Sequence, residues 1–359
     1  MGWVPANPTM GPIPTPNNRS ITNPDVQQCA NPAPRQNKKM PTYAIIGAAG
    51  YIAPRHLKAI ADTGGTLVAA FDPHDSVGHL DQYFPDAAFF TELERFDRHL
   101  EKQKQGGQPI DYLCICSPNY LHDAHIRFGL RHGAEVICEK PIVLNPWNID
   151  LLKETEADTG KKVNCILQLR LHPAILQLKR QLEQGTPTTH EVDLTYITAR
   201  GNWYYASWKG DVSKSGGIAT NIGIHFFDML TWLFGPMKQQ EVHLHTHDRA
   251  AGVLHLEQAT VRWFLSIDGN TLPEEVRKAG KSTYRAITIN GEALEFSDGF
   301  ADLHTRSYEE VLKGSGFGLE HTRESVRIAH AIRTSTVMEP SSTVHPMVKL
   351  GGRPHPFER

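Results

Sequence analysis

From position 41 onward the chain alternates short apolar runs with segments of helical period. Tyr43 to Ile46 is an apolar run of strand length, and Arg55 to Ala61 continues as a helix. Thr66 to Phe71, Ile110 to Cys116 and Val136 to Cys138 repeat the strand pattern, with a helix over Asp123 to His132 between the last two. Val163 to Leu169 closes the series, and a helix continues to about Gln184. Unalternating apolar strands separated by helices predict a parallel, doubly wound sheet buried on both faces. From Glu191 the pattern changes to long strands over Glu191–Arg200, Gln240–Thr246, Gly252–Leu256, Gln258–Ile267, Thr283–Asn290 and Glu292–Phe296. Asn290-Gly291 between the last two is a two-residue hairpin signal. Successive strands without crossover helices predict a mostly antiparallel sheet. The expected class is therefore α/β: an N-terminal doubly wound parallel sheet, then a C-terminal α+β domain with a large, mostly antiparallel sheet. Val261 to Ile267 is apolar on both alternations, so a second face needs cover, and a subunit interface in a homo-oligomer is expected there.

The two ends differ in kind. The first forty residues hold eight prolines and almost no apolar period, and the tail carries Pro340, Pro346, Pro354 and Pro356. Neither can build a core. The expected organisation is a disordered extension over 1–40, a first domain over 41–165, a second over 166–336 and a disordered tail over 337–359. The extension lacks the charged start and apolar stretch of a secretory signal; an upstream start site, with the working protein beginning near Met40, is the alternative.

Composition narrows the function. A net charge of -2 and a pI near 6.8 give no footprint for nucleic acid or an anionic membrane. No apolar run reaches the roughly 18 residues of a membrane span. Cys29, Cys114, Cys116, Cys138 and Cys165 are scattered, which reads as thiols in a reducing cytoplasm. His243, His245 and His247 alternate with Val242 and Leu244, the polar face of a strand, and no metal is expected.

The candidate chemistry lies at strand ends. Gly47-Ala48-Ala49-Gly50-Tyr51-Ile52-Ala53 joins the first strand to its helix. Small residues there let the backbone approach a pyrophosphate, whose charge the amides at the helix start receive. Asp72 ends the second strand, about twenty residues on, placed to accept from ribose hydroxyls and to repel a 2′-phosphate. The turn predicts a dinucleotide, and Asp72 favours NAD over NADP. Ser117, Asn119 and His122 come after the next strand along the expected nicotinamide path, where Ser117 and Asn119 could equally cap a helix. Glu139-Lys140-Pro141 ends the strand after that. Ligands of open α/β sheets bind outside the carboxyl ends of the strands, so Lys140 is placed where cofactor and substrate would meet. Farther on, Gly216-Gly217 leads into a helix that would set Asn221 and His225 four apart on one face. Histidine can take or relay a hydroxyl proton, although a lone helical histidine is commonly a packing residue.

Together the Gly47–Arg55 turn, Ser117–Ile126, Cys138–Trp147 with Glu139-Lys140-Pro141, Gln168–Pro173, Trp208-Lys209-Gly210, Gly216–Leu230 and Asp302–Tyr308 resemble the glucose–fructose oxidoreductase, inositol dehydrogenase and rhizopine-catabolism (Gfo/Idh/MocA) family. The resemblance runs from about Pro41 to Arg333 and is strongest to the branch that oxidises the 3-hydroxyl of UDP-N-acetylglucosaminuronate in bacterial lipopolysaccharide O-antigen synthesis. It implies a Rossmann domain holding NAD, with Glu139, Lys140 and Gln168 joining the turn, Asp72, Ser117, Asn119 and His122 at the cofactor. It implies Lys140 and His225 as the catalytic pair and a UDP-sugar substrate. It also implies 2-oxoglutarate as the second substrate, which reoxidises NADH, and a homotetramer. Many family members carry aspartate four residues before the histidine; Asn221 here is no base, so the proton path would run through Lys140 and His225. Arg170, Tyr204, Lys209 and Thr220 are candidates for the sugar carboxylate and pyrophosphate, and Asn221 and His225 are further substrate-binding candidates. Another sugar or cyclitol dehydrogenase, or a non-catalytic NAD-binding regulator, are the alternatives.

Overall fold

Six parallel strands build the first sheet: β1 (Thr42–Ile46), β2 (Thr66–Phe71), β3 (Ala88–Phe90), β4 (Tyr112–Ile115), β5 (Glu135–Cys138) and β6 (Val163–Cys165). They come from a computed structural model that describes residues 1–2, 11, 40–186, 188–295, 299–339 and 344–357. Both sheets and the helices on them belong to the unit Met40–Arg359. The extension expected over 1–40 lies, but for a few residues, outside the described residues, as does Cys29.

The strand order β3-β2-β1-β4-β5-β6 steps from β1 to β2 on one side and to β4 on the other. That reversal opens a crevice beyond the carboxyl ends of β1 and β4, the ligand site of such sheets. Tyr43, Ala44, Ile45 and Ile46 are at most 1% exposed, because helices cover both faces. Unalternating sequence is therefore the correct signal for these strands.

The second sheet runs β12-β11-β7-β10-β9-β8, from β7 (His190–Thr198), β8 (Met237–His245), β9 (Arg249–Leu256), β10 (Ala259–Ser266), β11 (Thr283–Ile289) and β12 (Glu292–Ala293). It is mostly antiparallel, but β7 and β10 pair in parallel, Ala259 opposite His190 through Ser266 opposite Ile197. The intervening helices and the β8–β9 hairpin bring β10 back in the direction of β7. β12 is shorter than the run predicted, and Phe296 lies outside the described residues. In β8 a register shift between Val242 and Leu244 breaks the alternation: His243 is buried and holds Glu241, while His247 lies beyond the strand against the Tyr205 hydroxyl. The single polar histidine face expected there is not formed.

One face of this sheet packs Val192, Leu194, Val261, Trp263 and Leu265 on Phe227 and Leu230 of the helix Ile224–Phe234 and Ile328 and Ile332 of the helix Leu319–Thr334. The latter helix also gives Val326 and Ala329 to the core of the first sheet, and Tyr308 of the helix Leu303–Leu312 packs beside Tyr43 and Ile45. The last helices of the chain thus return to the nucleotide half.

The other face is not left open. Residues 344–357, expected to be unstructured, lie along it. His345 is 3% exposed, stacks on Phe264 at 5.6 Å and reaches Thr195 Oγ1 at 3.0 Å. Met347 and Val348 pack with Ile197, Ala251 and Leu272. Arg249 donates to the Leu350 carbonyl and Arg353 to that of Arg200. Few apolar residues suffice because the sheet supplies the rest of the surface, which a proline count does not reveal. Among the described residues no helix is long and apolar enough to cross a membrane. Cys114, Cys116, Cys138 and Cys165 are free and buried.

Candidate active site

The glycine turn is built by close approach. Gly47 has φ +87°, and a Cβ there would stand 2.5 Å from Cys116 C and 2.5 Å from Ser117 N. Both are backbone atoms of the β4 exit, which cannot step aside. Gly47→Ala is expected to cost about 1–3 kcal/mol in strain, weakening NAD roughly tenfold or more; a fluorescence titration of the purified variant with NAD checks it. The Gly47 and Ala48 amides donate to the Phe71 carbonyl at 2.8 and 3.2 Å. Asp72, 6% exposed, accepts from the Ala49 amide at 2.9 Å and the His74 amide at 2.9 Å. It therefore closes on the turn itself and keeps lone pairs for a further donor. His79, which carries no motif in the sequence, lies 2.6 Å from the Ala48 carbonyl. Tyr51 is exposed, Ile52 is half-buried, and the helix Ala53–Asp62 starts beside them with Pro54 in its first turn.

Past β4 the expected cofactor residues turn inward. Ser117 Oγ meets His125 Nδ1 at 2.8 Å, and Asn119 Nδ2 donates to the Ser215 carbonyl at 2.9 Å. His122 is fully buried, with Nδ1 2.6 Å from the Pro141 carbonyl and Nε2 2.9 Å from the Ser117 carbonyl. Its side chain ties the β4 exit to the Glu139-Lys140-Pro141 loop and presents no ring nitrogen to a ligand. Asn119 likewise links this loop to the segment before Gly216. Both position their neighbours.

Lys140 and His225 come together as the motifs implied. They line one small cavity with Cys165, Leu167 and Ile224. Lys140 Nζ donates to the Asn221 carbonyl at 3.4 Å. Burial lowers the lysine's pKa, opposed by the Glu139 charge and assisted by Arg200. Burial, and then the Lys140 charge, holds the His225 imidazole well below its ordinary pKa, so it is neutral. The helix expected from Gly216 begins differently: Ala219–Gly223 is a π-helical turn, and the α-helix is Ile224–Phe234. Widened turns of this kind recur at functional sites. Here the Asn221 side chain donates to the Tyr204 hydroxyl at 2.8 Å while its carbonyl holds Lys140. Gly216, at φ +79°, faces Thr220 so closely that a Cβ would lie 2.7 Å from its side chain.

The substrate candidates separate. Tyr204 is buried, its hydroxyl pushed up to about 12 by burial. Lys209 lies over the Trp208 ring at 4.0 Å, and burial with the charges of Lys140 and Arg200 lowers its pKa to about 8. Arg200, absent from the sequence candidates, is thus a third cation beside Lys140 and Lys209. Arg170 does not belong with them. It is 6% exposed, paired with both Asp228 oxygens at 2.9 and 2.7 Å, and donates to the His321 carbonyl at 2.8 Å. With its Nε and Nη2 edge engaged by Asp228 and the His321 carbonyl, it holds the helix Ile224–Phe234 in a buried pair rather than presenting that edge to a ligand. Thr220 Oγ1 and Gln168 Oε1 are buried without a partner among the described residues, polar atoms that a bound molecule can satisfy.

Two further histidines stand behind Lys140: His56 and His304 both contact Glu139. Their signal in sequence is a histidine on the inner face of an amphipathic helix, which has no distinguishing pattern.

Comparison with known proteins agrees with this geometry. Residues 42–166 match the family model described as "Oxidoreductase family, NAD-binding Rossmann fold", and residues 179–293 match "Oxidoreductase family, C-terminal alpha/beta domain". The crystal structure of the WlbA (WbpB) dehydrogenase from Thermus thermophilus in complex with NAD and UDP-GlcNAcA is 53% identical, with a TM-score of 0.83 over 86% of this chain and 99% of that one. The same enzyme in complex with NAD and alpha-ketoglutarate gives 53% identity and a TM-score of 0.82, over 84% and 98%. Inositol 2-dehydrogenase of Rhizobium meliloti (strain 1021) is 27% identical over 194 residues, 54% of each chain. The chain spans about half the length of the curated relatives it matches.

Proposed function

This chain belongs to the Gfo/Idh/MocA oxidoreductase family, and from that membership we propose that it oxidises the 3-hydroxyl of UDP-N-acetylglucosaminuronate to the 3-keto sugar. The carrying observation is the juxtaposition of Lys140 and His225 in one cavity at the carboxyl end of the parallel sheet. The 53% identity to a dehydrogenase crystallised with NAD and UDP-GlcNAcA supports the choice of substrate.

The residues present fit NAD. Gly47, at φ +87° against the Cys116–Ser117 backbone, keeps the turn tight as no side chain could, Asp72 retains acceptor capacity, and Gln168 Oε1 has no partner among the described residues. The turn from Gly47 to Ile52, with Asp72 and Gln168, would hold the dinucleotide. NAD supplies the hydride acceptor; the protein supplies the proton path. Lysine in water has a pKa of about 10.4, too high for a base at neutral pH. Burial lowers that of Lys140, so a neutral Nζ accepts the proton of the 3-hydroxyl as the carbon loses its hydride. Neutral His225 holds the same hydroxyl by a hydrogen bond, and the Asn221 carbonyl aims the lysine. Arg200 and Lys209 form a positive pair suited to the sugar carboxylate and pyrophosphate, with Tyr204, Thr220 and Asn221 as the polar partners. Arg170 is omitted, because Asp228 already occupies it.

We further propose 2-oxoglutarate as the acceptor that regenerates NAD, Lys140 returning its proton to the 2-oxo oxygen to give 2-hydroxyglutarate. A homotetramer acting in the cytoplasm on a lipopolysaccharide sugar completes the reading, the buried free thiols being suited to a reducing compartment. The test is an assay of the purified protein with UDP-N-acetylglucosaminuronate, with and without 2-oxoglutarate, and mass analysis of the products. The expected products are the 3-keto sugar and 2-hydroxyglutarate in equal amounts. Keto sugar formed only with excess NAD would remove the recycling step. Oxidation of inositol or glucose with no reaction of the UDP-sugar would transfer the activity to another member reaction of the family.

A further inference from the structure

The acid beside the catalytic lysine is buried and forms no ion pair with lysine or arginine among the described residues. Glu139 is 6% exposed. Its Oε2 accepts the Lys140 backbone N–H at 3.2 Å, and its Oε1 lies 3.0 Å from His56 Nε2 and 3.0 Å from His304 Nε2. The chain of contacts goes on: His56 Nδ1 lies 2.7 Å from the Tyr308 hydroxyl, which lies 3.0 Å from Cys114 Sγ. His56, Tyr308 and Cys114 are fully buried and His304 is 4% exposed. One assignment of protons satisfies every member. The Cys114 thiol donates to the Tyr308 oxygen, the Tyr308 hydroxyl donates to His56 Nδ1, and both histidines donate Nε2–H to Glu139 Oε1. His56 is then neutral, because its Nδ1 accepts, and the negative charge of the network rests on the carboxylate. Because His56 comes from the helix Ala53–Asp62 and His304 and Tyr308 from the helix Leu303–Leu312, the network also joins two segments distant in sequence at the catalytic loop.

We propose that His56, His304 and Tyr308 are positioning residues for the proton transfer: they keep Glu139 a buried anion whose free oxygen anchors Lys140, and that fixed charge sets the pH at which Lys140 becomes a base. The proposal rests on the reading of Lys140 as the base. Burial pushes the Glu139 carboxyl up, but the hydrogen bonds from His304 and His56 outweigh it and hold it well below the usual range. Lys140 faces Glu139, His122, Cys165, Arg200, Lys209 and His225. Burial keeps Cys165 a thiol and His225 neutral, so Glu139 is the negative charge in this set, opposed by Arg200 and Lys209.

Without the His304 donor the carboxyl takes up a proton more readily, and Lys140 loses the anion that keeps its pKa up. The base is then neutral at lower pH and weaker. His304→Leu is expected to move the acid limb of the kcat–pH profile down, by up to roughly the one pH unit that loss of a neighbouring opposite charge contributes at its lower end. His304→Gln, whose amide can donate from the same place, should restore the limb. Tyr308→Phe leaves both donors to Glu139 in place, removing the donor to His56 and the acceptor of the Cys114 thiol, and should shift the limb in the same direction by less; it carries the test if the leucine variant does not fold. NAD titration of each variant separates this effect from damage to the cofactor site. Profiles of His304→Leu and Tyr308→Phe that superimpose on the unaltered enzyme, while Lys140→Met is inactive, would overturn the proposal and leave Lys140 as the base. An active Lys140→Met would remove the base reading and this inference with it. The three ligand atoms of His56, Glu139 and His304 lie within 4.8 Å of one another, so a stoichiometric divalent metal in the purified protein would also overturn the hydrogen-bonded assignment.

Discussion

Lys140→Met is expected to lower turnover by about 10²–10⁴-fold, the range of a lost general base, while NAD remains bound. Methionine keeps the length of the side chain and removes the only atom that can take the hydroxyl proton at this position. On the proposed mechanism His225 does not substitute for it from across the cavity, because the reaction uses both the proton acceptor and the hydrogen bond that holds the hydroxyl. The Gly47 turn keeps its support, since it is held by the Phe71 carbonyl and the Asp72 carboxylate and not by Lys140. Rapid mixing of the variant with UDP-N-acetylglucosaminuronate should give no rise in the absorbance of reduced nicotinamide, although NAD fluorescence titration is unchanged. Undiminished turnover would place the base elsewhere.

The second large effect concerns stability. Arg170→Met leaves Asp228 buried, 2% exposed, with no guanidinium. Removing one partner of such a pair typically costs about 3–5 kcal/mol, read as a fall in the midpoint of urea denaturation. Burial already pushes the Asp228 carboxyl up in pKa despite the arginine, which says that desolvation outweighs the attraction in this pair. The double variant Arg170→Met with Asp228→Leu should therefore recover most of the loss, because an apolar pair carries no desolvation penalty. A substrate role for Arg170 would instead raise KM for the UDP-sugar at unchanged stability in both variants, and that result would reverse the assignment made above.

The nucleotide half is legible because its signals are local. A parallel strand buried on both faces is written as an unbroken apolar run, and the turn that must approach another backbone is written in glycine. Gly47, Asp72 and Lys140 lie at strand ends, where the pattern of runs and breaks puts them in plain view. Contacts made at long range are not legible in this way. Arg170 has the sequence context of a free cation beside the site, yet Asp228, 58 residues away in sequence, holds it in a buried pair. His122 has that of a cofactor ligand, but the carbonyls of Ser117 and Pro141 close on both its nitrogens. The tail reads as unstructured because its own apolar content is low, while the sheet face that buries His345 is supplied from β7 and β10.

The sequence by itself determined the two-sheet architecture and the cofactor turn, since each depends on residue type at short spacing; Lys140 and His225 are implied by the family resemblance, and the fold brings them to one cavity. Only the tertiary structure decided which polar groups remain available to a ligand. Hydrogen-bond capacity is finite, and a side chain saturated by a distant partner is no longer chemistry for the site. That rule removed Arg170 and His122 from the ligand's surroundings and added Arg200. It also exposed His56 and His304 behind Glu139, where a buried charge has to be satisfied by whatever the fold brings near.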